Sequence, residues 1–403
     1  MKSIRTIYKY GCGPSSSHTV GPTIAAKVIK KYYPEADRFE AVLYGSLALT
    51  GRGHMTDRAI MSILDNCSII FDYKKTDLPH PNTMVFRVFK DDELVAERTV
   101  LSVGGGEIKI LDDDYCEEEV YEFNHLSDII HECENRNISL ADYIYEKEKG
   151  DIKEELRNTW HRMEDCIQRG LNTVGLLPGD LMLERKANKL YNMVVKEESP
   201  TARENRLVSA YAYAVAEENA AGKMVVIAPT CGASGVLPAV LYYLRHDRGY
   251  SEEEIIDGLA VAGMIGNVIR TNASISGAEC GCQAEIGSAC SMTSAAKAQI
   301  SNMNLKQIEY AAEVAMEHHL GLTCDPVHGY VQIPCIERNA VAAMRAINSV
   351  TLASFLFETR KISFDAVVET MYHTGKDLLD KYRETSNGGL AALSKSAVLL
   401  KTV

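Results

Sequence analysis

The feature that most constrains the fold is a change of hydrophobic period part-way along the chain. Up to about residue 110 the apolar residues fall in short runs, CSIIFDY at 67–73, TMVFRVFKDD at 83–92 and ELVAERTVLSV at 93–103. Runs of this length, rich in β-branched and aromatic residues and bounded by turn residues, read as strands. The charged turn at 90–93 makes the last two a hairpin. RFEAVLYGSLALT at 38–50 reads as another strand that ends in turn residues. From His125 onward the pattern is helical almost throughout, with hydroxyl residues before several segments and glycine after them. Between the two lies LDDDYCEEEV at 111–120, an acidic run that reads as a solvated connection. The expectation is an α+β chain. A mixed α/β domain spans 1–118 and a mostly helical domain spans 119–403, with the boundary between about 112 and 125. The 403 residues are enough for two separate cores.

Local signals fill in this frame. SSSHTVGPTIAAKVIKKYY starts with hydroxyls and runs into an apolar-periodic segment, with Ser17 or Thr19 as caps and Pro22 in the first turn. RAIMSILDN reads as a helix, and the glycines at 104–106 as a tight turn. Ser139 is placed to cap the second of two short helices, and a long helix follows from Asp151. Met224–Leu244 carries no charge and has about the length of a membrane span. Pro229, Gly232, Gly235 and Pro238 break it, so it reads as a strand end followed by a buried helix from near Ser234.

A net charge of −12 argues against nucleic acid or an anionic membrane as partner. The opening MKSIRTIYKYGCG has no apolar stretch of the kind that marks a secretion signal, so a cytoplasmic setting is expected. In that setting the eleven cysteines are expected to be free thiols. Five of them fall in GAECGCQAEIGSACSM at 277–292 and CDPVHGYVQIPC at 324–335. No CxxC pair occurs, which disfavours a zinc ribbon, and no ferredoxin-type run is present. Two readings of the spacing stand. Free cysteines are often small buried hydrophobes. Thiolates are also soft ligands, suited to zinc or an iron–sulfur cluster. Gly281, Pro326, Gly329 and Pro334 favour the second reading, because they put the thiols in turns rather than on apolar helix faces.

His18, His54 and His80 each lie in a polar or glycine-rich turn. A lone histidine in such a place can be a cap or a general base. Ser15, Ser16 and Ser17 precede a helix, where backbone amides attract anions, so they are caps or a carboxylate site.

Several long segments resemble the iron–sulfur-dependent L-serine dehydratases. They are SSSHTVGP at 15–22, GRGHMTDRA at 51–59, NASISGAECGCQAEIGSACSM at 272–292, MEHHLGLTCDPVHGYVQIPCIERNA at 316–340 and ETMYHTGKDLLDKYRETSNGGLA at 369–391. The resemblance spans nearly the whole chain. It implies a single-chain form with fused beta and alpha domains, and a [4Fe-4S] cluster on Cys282, Cys324 and Cys335 with one open iron. It implies no pyridoxal phosphate. The reaction implied is dehydration of L-serine to pyruvate and ammonia, a step of amino-acid catabolism that can feed gluconeogenesis, by a homodimer.

By resemblance His54 is the base, and His80, His18 and Ser102 are further catalytic candidates. Ser15, Ser16, Ser17, Thr19, Thr56, Asn82, Lys186 and Arg383 are candidates for binding substrate. The chain departs from the family at Met55, where glycine is usual, and at Cys231, where asparagine is frequent. Met55 keeps open a lyase acting on L-threonine or L-cysteine. A non-catalytic iron–sulfur sensor is a second alternative. Cys280 and Cys290 are expected to be structural, and His318 and His319 to pack rather than ligate. No terminal cysteine occurs in the tail, so no tail thiol is expected at the site.

Overall fold

The computed structural model describes residues 1–111 and 119–394, with side chains described up to residue 392. The expected boundary at 118 falls at the edge of 112–118, outside the described residues, as does the tail after residue 394.

The first half is built on a sheet. Strand β1 is Lys9–Cys12 and helix α1 is Gly21–Tyr32. Then come β2 (Arg38–Tyr44), α2 (Gly45–Thr50), α3 (Thr56–Met61), β3 (Cys67–Asp72), β4 (Thr83–Lys90), β5 (Glu93–Gly104) and β6 (Glu107–Ile110). Five strands form one sheet in the order β3-β2-β4-β5-β6, with only β2 and β3 parallel. Alternation fixes its faces. Phe39, Ala41 and Leu43 of β2 and Met84, Phe86 and Val88 of β4 point to one side, where they pack with Ala25, Ala26 and Ile29 of α1. Val42, Tyr44 and Val85 point to the other side, with Leu78 against them.

Two expectations are corrected here. GSLALT is a helix, α2, rather than the tail of a strand. The capping hydroxyl is that of Ser15, which accepts the His18 amide at the start of the turn before α1, and not that of Ser17 or Thr19; α1 itself follows Val20 without a side-chain cap. Residues 16–20 form a single π-type turn that leads into α1. The glycines at 104–106 do make a tight turn, and it returns the chain as β6.

The rest is helical. It comprises α4 (Leu126–Arg136), α5 (Leu140–Lys147), α6 (Ile152–Asn172), α7 (Ala187–Asn192), α8 (Pro200–Ala220), the strand β7 (Met224–Ile227), α9 (Val236–His246), α10 (Glu252–Asn272) and α11 (Gly277–Cys280). It continues with α12 (Ser288–Ile300), α13 (Leu305–Glu317), α14 (Cys335–Leu356), α15 (Phe364–Asp377) and α16 (Gly389–Ser394). Reciprocal caps start three of these helices, through Ser139 with Asp142, Ser251 with Glu254 and Asn304 with Gln307. α10 over 258–269 and α12 over 288–296 are buried on all sides, as expected of a bundle's central helices. Met224–Leu244 resolves into β7, a turn and α9. One helical stretch, Cys335–Thr359, is long and apolar enough to cross a membrane by length and composition alone, with mean hydropathy 1.5. In the fold α14 packs against α8, α12 and α13.

The chain's first residues belong to this helical body. β1 pairs antiparallel with β7, Lys9 opposite Ile227. Met1, Ile4 and Ile7 are buried in the main helical core. α10 accepts them through glycines: a Cβ on Gly263 would stand 3.1 Å from Ile4, and one on Gly266 would stand 3.1 Å from Ile7.

Candidate active site

Three segments distant in sequence bring cysteines to one cavity. Gly281 has a left-handed backbone (φ 72°), and a Cβ there would stand 2.9 Å from the Leu322 carbonyl oxygen. Only glycine fits this approach, and it delivers Cys282 to the start of the π-type turn at 283–287. Cys324 lies in a strand-like tie. Its N–H donates to the Tyr382 carbonyl and its carbonyl accepts from the Glu384 N–H, both at 2.8 Å. Cys335 is the first residue of α14, so it opens a helix rather than lying in a turn. The three thiols line one cavity of about 20 Å³ with His54, Glu285 and Glu384. Ligand atoms of Cys282, Cys324 and Glu285 all lie within 4.8 Å of one another.

The thiols are not equivalent. A hydrogen bond from Cys324, and then the Arg338 guanidinium, draw the Cys282 thiol down to about 6. The same hydrogen bond pushes Cys324 well up, and burial pushes Cys335 up. Arg338 is held by the Thr323 carbonyl (2.8 Å) and by Asp325 Oδ1 (3.4 Å). Burial raises the carboxyl of Glu285, with Glu384 and Cys282 adding to it. Burial and then Cys282 push Glu384 up to about 8.

Sequence reasoning missed Arg338, Glu285 and Glu384. One signal was available: Glu285 and Arg338 each follow one of these cysteines by three residues, which is one helical turn.

The opposite wall comes from the sheet-bearing half. The Thr19 hydroxyl donates to the His54 carbonyl (2.7 Å), and the Thr56 hydroxyl donates to the His18 carbonyl (2.6 Å). This reciprocal tie holds the two imidazoles 4.5 Å apart, edge to face. His18 Nε2 lies 3.0 Å from Ser46 Oγ, and its Nδ1 lies 2.9 Å from Ser17 Oγ and 3.3 Å from Glu384 Oε1. Burial lowers His18 to about 3. Burial, and then His18, lower His54 well below the usual imidazole range. Both rings are therefore neutral at pH 7, and each has one nitrogen able to accept a proton. Both ring nitrogens of His54 are buried without a hydrogen-bond partner.

The remaining candidates divide. Ser15 lines the cavity. The half-buried His80 and the buried Asn82 and Ser102 form a separate polar patch that does not line the cavity. His80 Nδ1 accepts the Asn82 amide (3.0 Å), and Asn82 Nδ2 donates to the Ser102 carbonyl (3.3 Å). His80 Nε2, Asn82 Oδ1, Ser102 Oγ and the nearby Ser16 Oγ have no partner. Lys186 and Arg383 belong to neither the cavity lining nor this patch. Lys186 is partly exposed and pairs with Glu337 at 3.7 Å. The Arg383 guanidinium turns to Asp380 and to the Glu279 carbonyl.

Met55 has a left-handed backbone (φ 57°), the conformation that glycine adopts freely. Its Sδ lies 3.6 Å from where a Cβ on Gly222 would stand, and it does not line the cavity. Cys231 is buried in the helical core beside Gly232, which does line the cavity. The Cys290 thiol donates to the Ala342 carbonyl (3.3 Å), and Cys280 packs against the position of Gly375. His318 and His319 each place Nδ1 against a carbonyl one turn earlier, at 2.9 and 2.7 Å. Among the described residues all cysteines are free thiols.

Comparison with known proteins places this geometry. The family model described as serine dehydratase alpha chain matches residues 59–391, and the one described as serine dehydratase beta chain matches residues 3–68. L-serine dehydratase 2 of Escherichia coli (strain K12) is 39% identical, covering 97% of this chain and 98% of its own. L-serine dehydratase of Haemophilus influenzae is 40% identical over 97% and 99%. That of Helicobacter pylori (strain ATCC 700392 / 26695) is 37% identical over 98% and 99%. With both models matched in one polypeptide, and this identity sustained along nearly all of it, the chain belongs to the serine dehydratase family.

Proposed function

We propose that this chain is an L-serine ammonia-lyase whose Cys282, Cys324 and Cys335 hold a [4Fe-4S] cluster. The observation that carries the reading is the meeting of three buried thiols with an unpartnered, neutral histidine in one cavity. The donor set fits the group. The thiols come from separate segments, one is drawn down toward thiolate, and the Arg338 cation beside it offsets the charge that thiolates bring. When bound, such a cluster with three thiolate ligands supplies an iron with an open position, a Lewis acid for the substrate hydroxyl.

The chain's own residues do the rest. His54, neutral and with both nitrogens free, takes the proton from Cα. The reciprocal threonine ties hold its ring against His18, so the base keeps its aim. The unpartnered His80 Nε2, Ser102 Oγ and Ser16 Oγ, with the Ser15 hydroxyl at the cavity, supply donors for the substrate carboxylate and hydroxyl, whereas the hydroxyls of Thr19 and Thr56 are spent on the ties and that of Ser17 on His18 and Glu384. Loss of the Cα proton and of hydroxide leaves aminoacrylate. It tautomerises to an imine, and water hydrolyses the imine to pyruvate and ammonia. A homodimer, a cytoplasmic setting and the division near residue 118 belong to this reading as proposals that rest on the family resemblance and the chain's composition.

The test is anaerobic purification, a count of iron and sulfide, and an assay of ammonia release with a panel of L-serine, L-threonine and L-cysteine, with pyruvate followed for L-serine. The expected result is four irons, ammonia release fastest from L-serine, and pyruvate as its other product. Four irons with turnover of another amino acid only would move the substrate assignment. A protein free of iron under these conditions would overturn the reading.

A further inference from the structure

A buried carboxylate in the cavity has no cation beside it. Glu384 has a left-handed backbone (φ 56°) and is held from both halves of the molecule. Its N–H donates to the Cys324 carbonyl (2.8 Å), and its own carbonyl accepts the Ser46 hydroxyl (2.7 Å). The residue is 4% exposed. Oε1 lies 3.3 Å from His18 Nδ1, and the Ser17 hydroxyl and Ala278 amide also face the carboxylate. Oε2 is buried without a hydrogen-bond partner. None of these neighbours is a full positive charge, since burial keeps His18 neutral. Among the described residues no lysine or arginine forms an ion pair with Glu384. A carboxylate out of water needs a countercharge to remain ionised. With no cation beside it the group is held as the neutral acid, and the backbone ties keep it in place for a charge to arrive.

We propose that Glu384 receives the α-ammonium of the amino-acid substrate, with Oε2 as the acceptor. The proposal rests on the reading above, that the substrate is a small β-hydroxy amino acid. An ammonium supplies the missing charge and three donors at once. The geometry then suits proton abstraction. A ring nitrogen of His54 and a carboxylate oxygen of Glu384 lie within 4.8 Å of each other, and the Cα hydrogen is one atom removed from the bound nitrogen. Glu384 therefore binds and orients the substrate, while His54 reacts with it.

Steady-state kinetics on the anaerobic holoenzyme tests this, with 3-hydroxypropanoate as an inhibitor that keeps the hydroxyl and carboxylate but lacks the ammonium. For Glu384→Gln the expected result is a KM for L-serine raised about 10- to 100-fold, the range for a lost charge-assisted hydrogen bond. The Ki of 3-hydroxypropanoate stays within about threefold, and the iron content stays unchanged. Glu384→Asp recovers part of the loss. An unchanged KM, or a KM and Ki that rise together, would overturn the proposal.

Wild-type enzyme gives a second arm that needs no variant. L-alanine is expected to inhibit at least about tenfold more tightly than propanoate, from which it differs only by the ammonium. Equal inhibition by the two would overturn the proposal. An iron-loaded wild type that releases no pyruvate from L-serine would fail earlier. It would remove the substrate reading, and this inference with it, before any Glu384 variant was made.

Discussion

On one wall of the cavity the polar groups come from residues 281–285, the loop at 324–325 and the start of α14. On the other they come from the turns at 15–19 and 51–56. The thiol wall is organised by charge. Cys282 is drawn toward thiolate by Cys324 and Arg338, and Arg338 is itself held by Asp325. The histidine wall is organised by neutral hydrogen bonds. Thr19 and Thr56 hold each other's backbones in place, and burial strips both imidazoles of charge. One wall is thus suited to hold a cationic centre and the other to accept a proton. The difference lies in what each wall buries and not in the residue types alone, since a histidine left in water would be partly charged near pH 6.5.

The sharpest way to break this division is to remove a thiol. Cys324→Ala should lose both the visible absorbance of the cluster and all activity, measured by iron content and pyruvate release. Retention of full activity would end the assignment of Cys324 as ligand.

Next in size, His54→Ala should keep the iron and lose activity by about 10²–10⁴-fold, the usual contribution of a positioned base. A parallel loss of iron would mean that the two walls are not separable.

A third test reads the neutral wall through acid stability. The folded pKa of His18, about 3, lies below the unfolded value near 6.5. The unfolded chain then binds more protons between these values, so this contribution to stability is full above pH 6.5 and is lost as pH falls toward 3. His18→Gln should flatten that part of the stability profile in denaturant titrations at stepped pH.

The smallest effect is expected for Thr56→Val, which leaves the His18 carbonyl without its donor. It should cost about 1–3 kcal/mol of stability, read in denaturant melts, with iron content unchanged.

Some of the site was legible in the sequence because its turns are punctuated. Gly281 beside Cys282, Pro334 beside Cys335 and the glycines around His54 mark places where the backbone turns and a side chain is presented. The two-part architecture was legible from period alone. Glu384 was not, because nothing local distinguishes a buried acid from a solvated one, and Glu285 and Arg338 carried only the weak signal of lying one helical turn after a cysteine. Their burial is decided by segments from tens to hundreds of residues away, as when Ser46 meets the carbonyl of Glu384. GSLALT was misread for a related reason. Its apolar run is too short to show a period, and its packing as α2 depends on the sheet beneath it. The pairing of β1 with β7 has no sequence signal in either four-residue strand.

That pairing has a mechanical consequence. Because residues 1–12 are built into the helical body, the chain leaves that body after Cys12, makes the sheet, and returns. At the return the N–H groups of Val120 and Tyr121 donate to the carbonyl of Met1, at 2.7 and 2.9 Å, beside the point of origin. The sheet-bearing part is therefore an insert on two tethers and not a module hung from one linker. The two halves are also stitched together at Glu384, whose N–H meets the Cys324 carbonyl and whose carbonyl meets the Ser46 hydroxyl, so the histidine wall is held against the thiols by hydrogen bonds at the cavity itself as well as by the course of the chain.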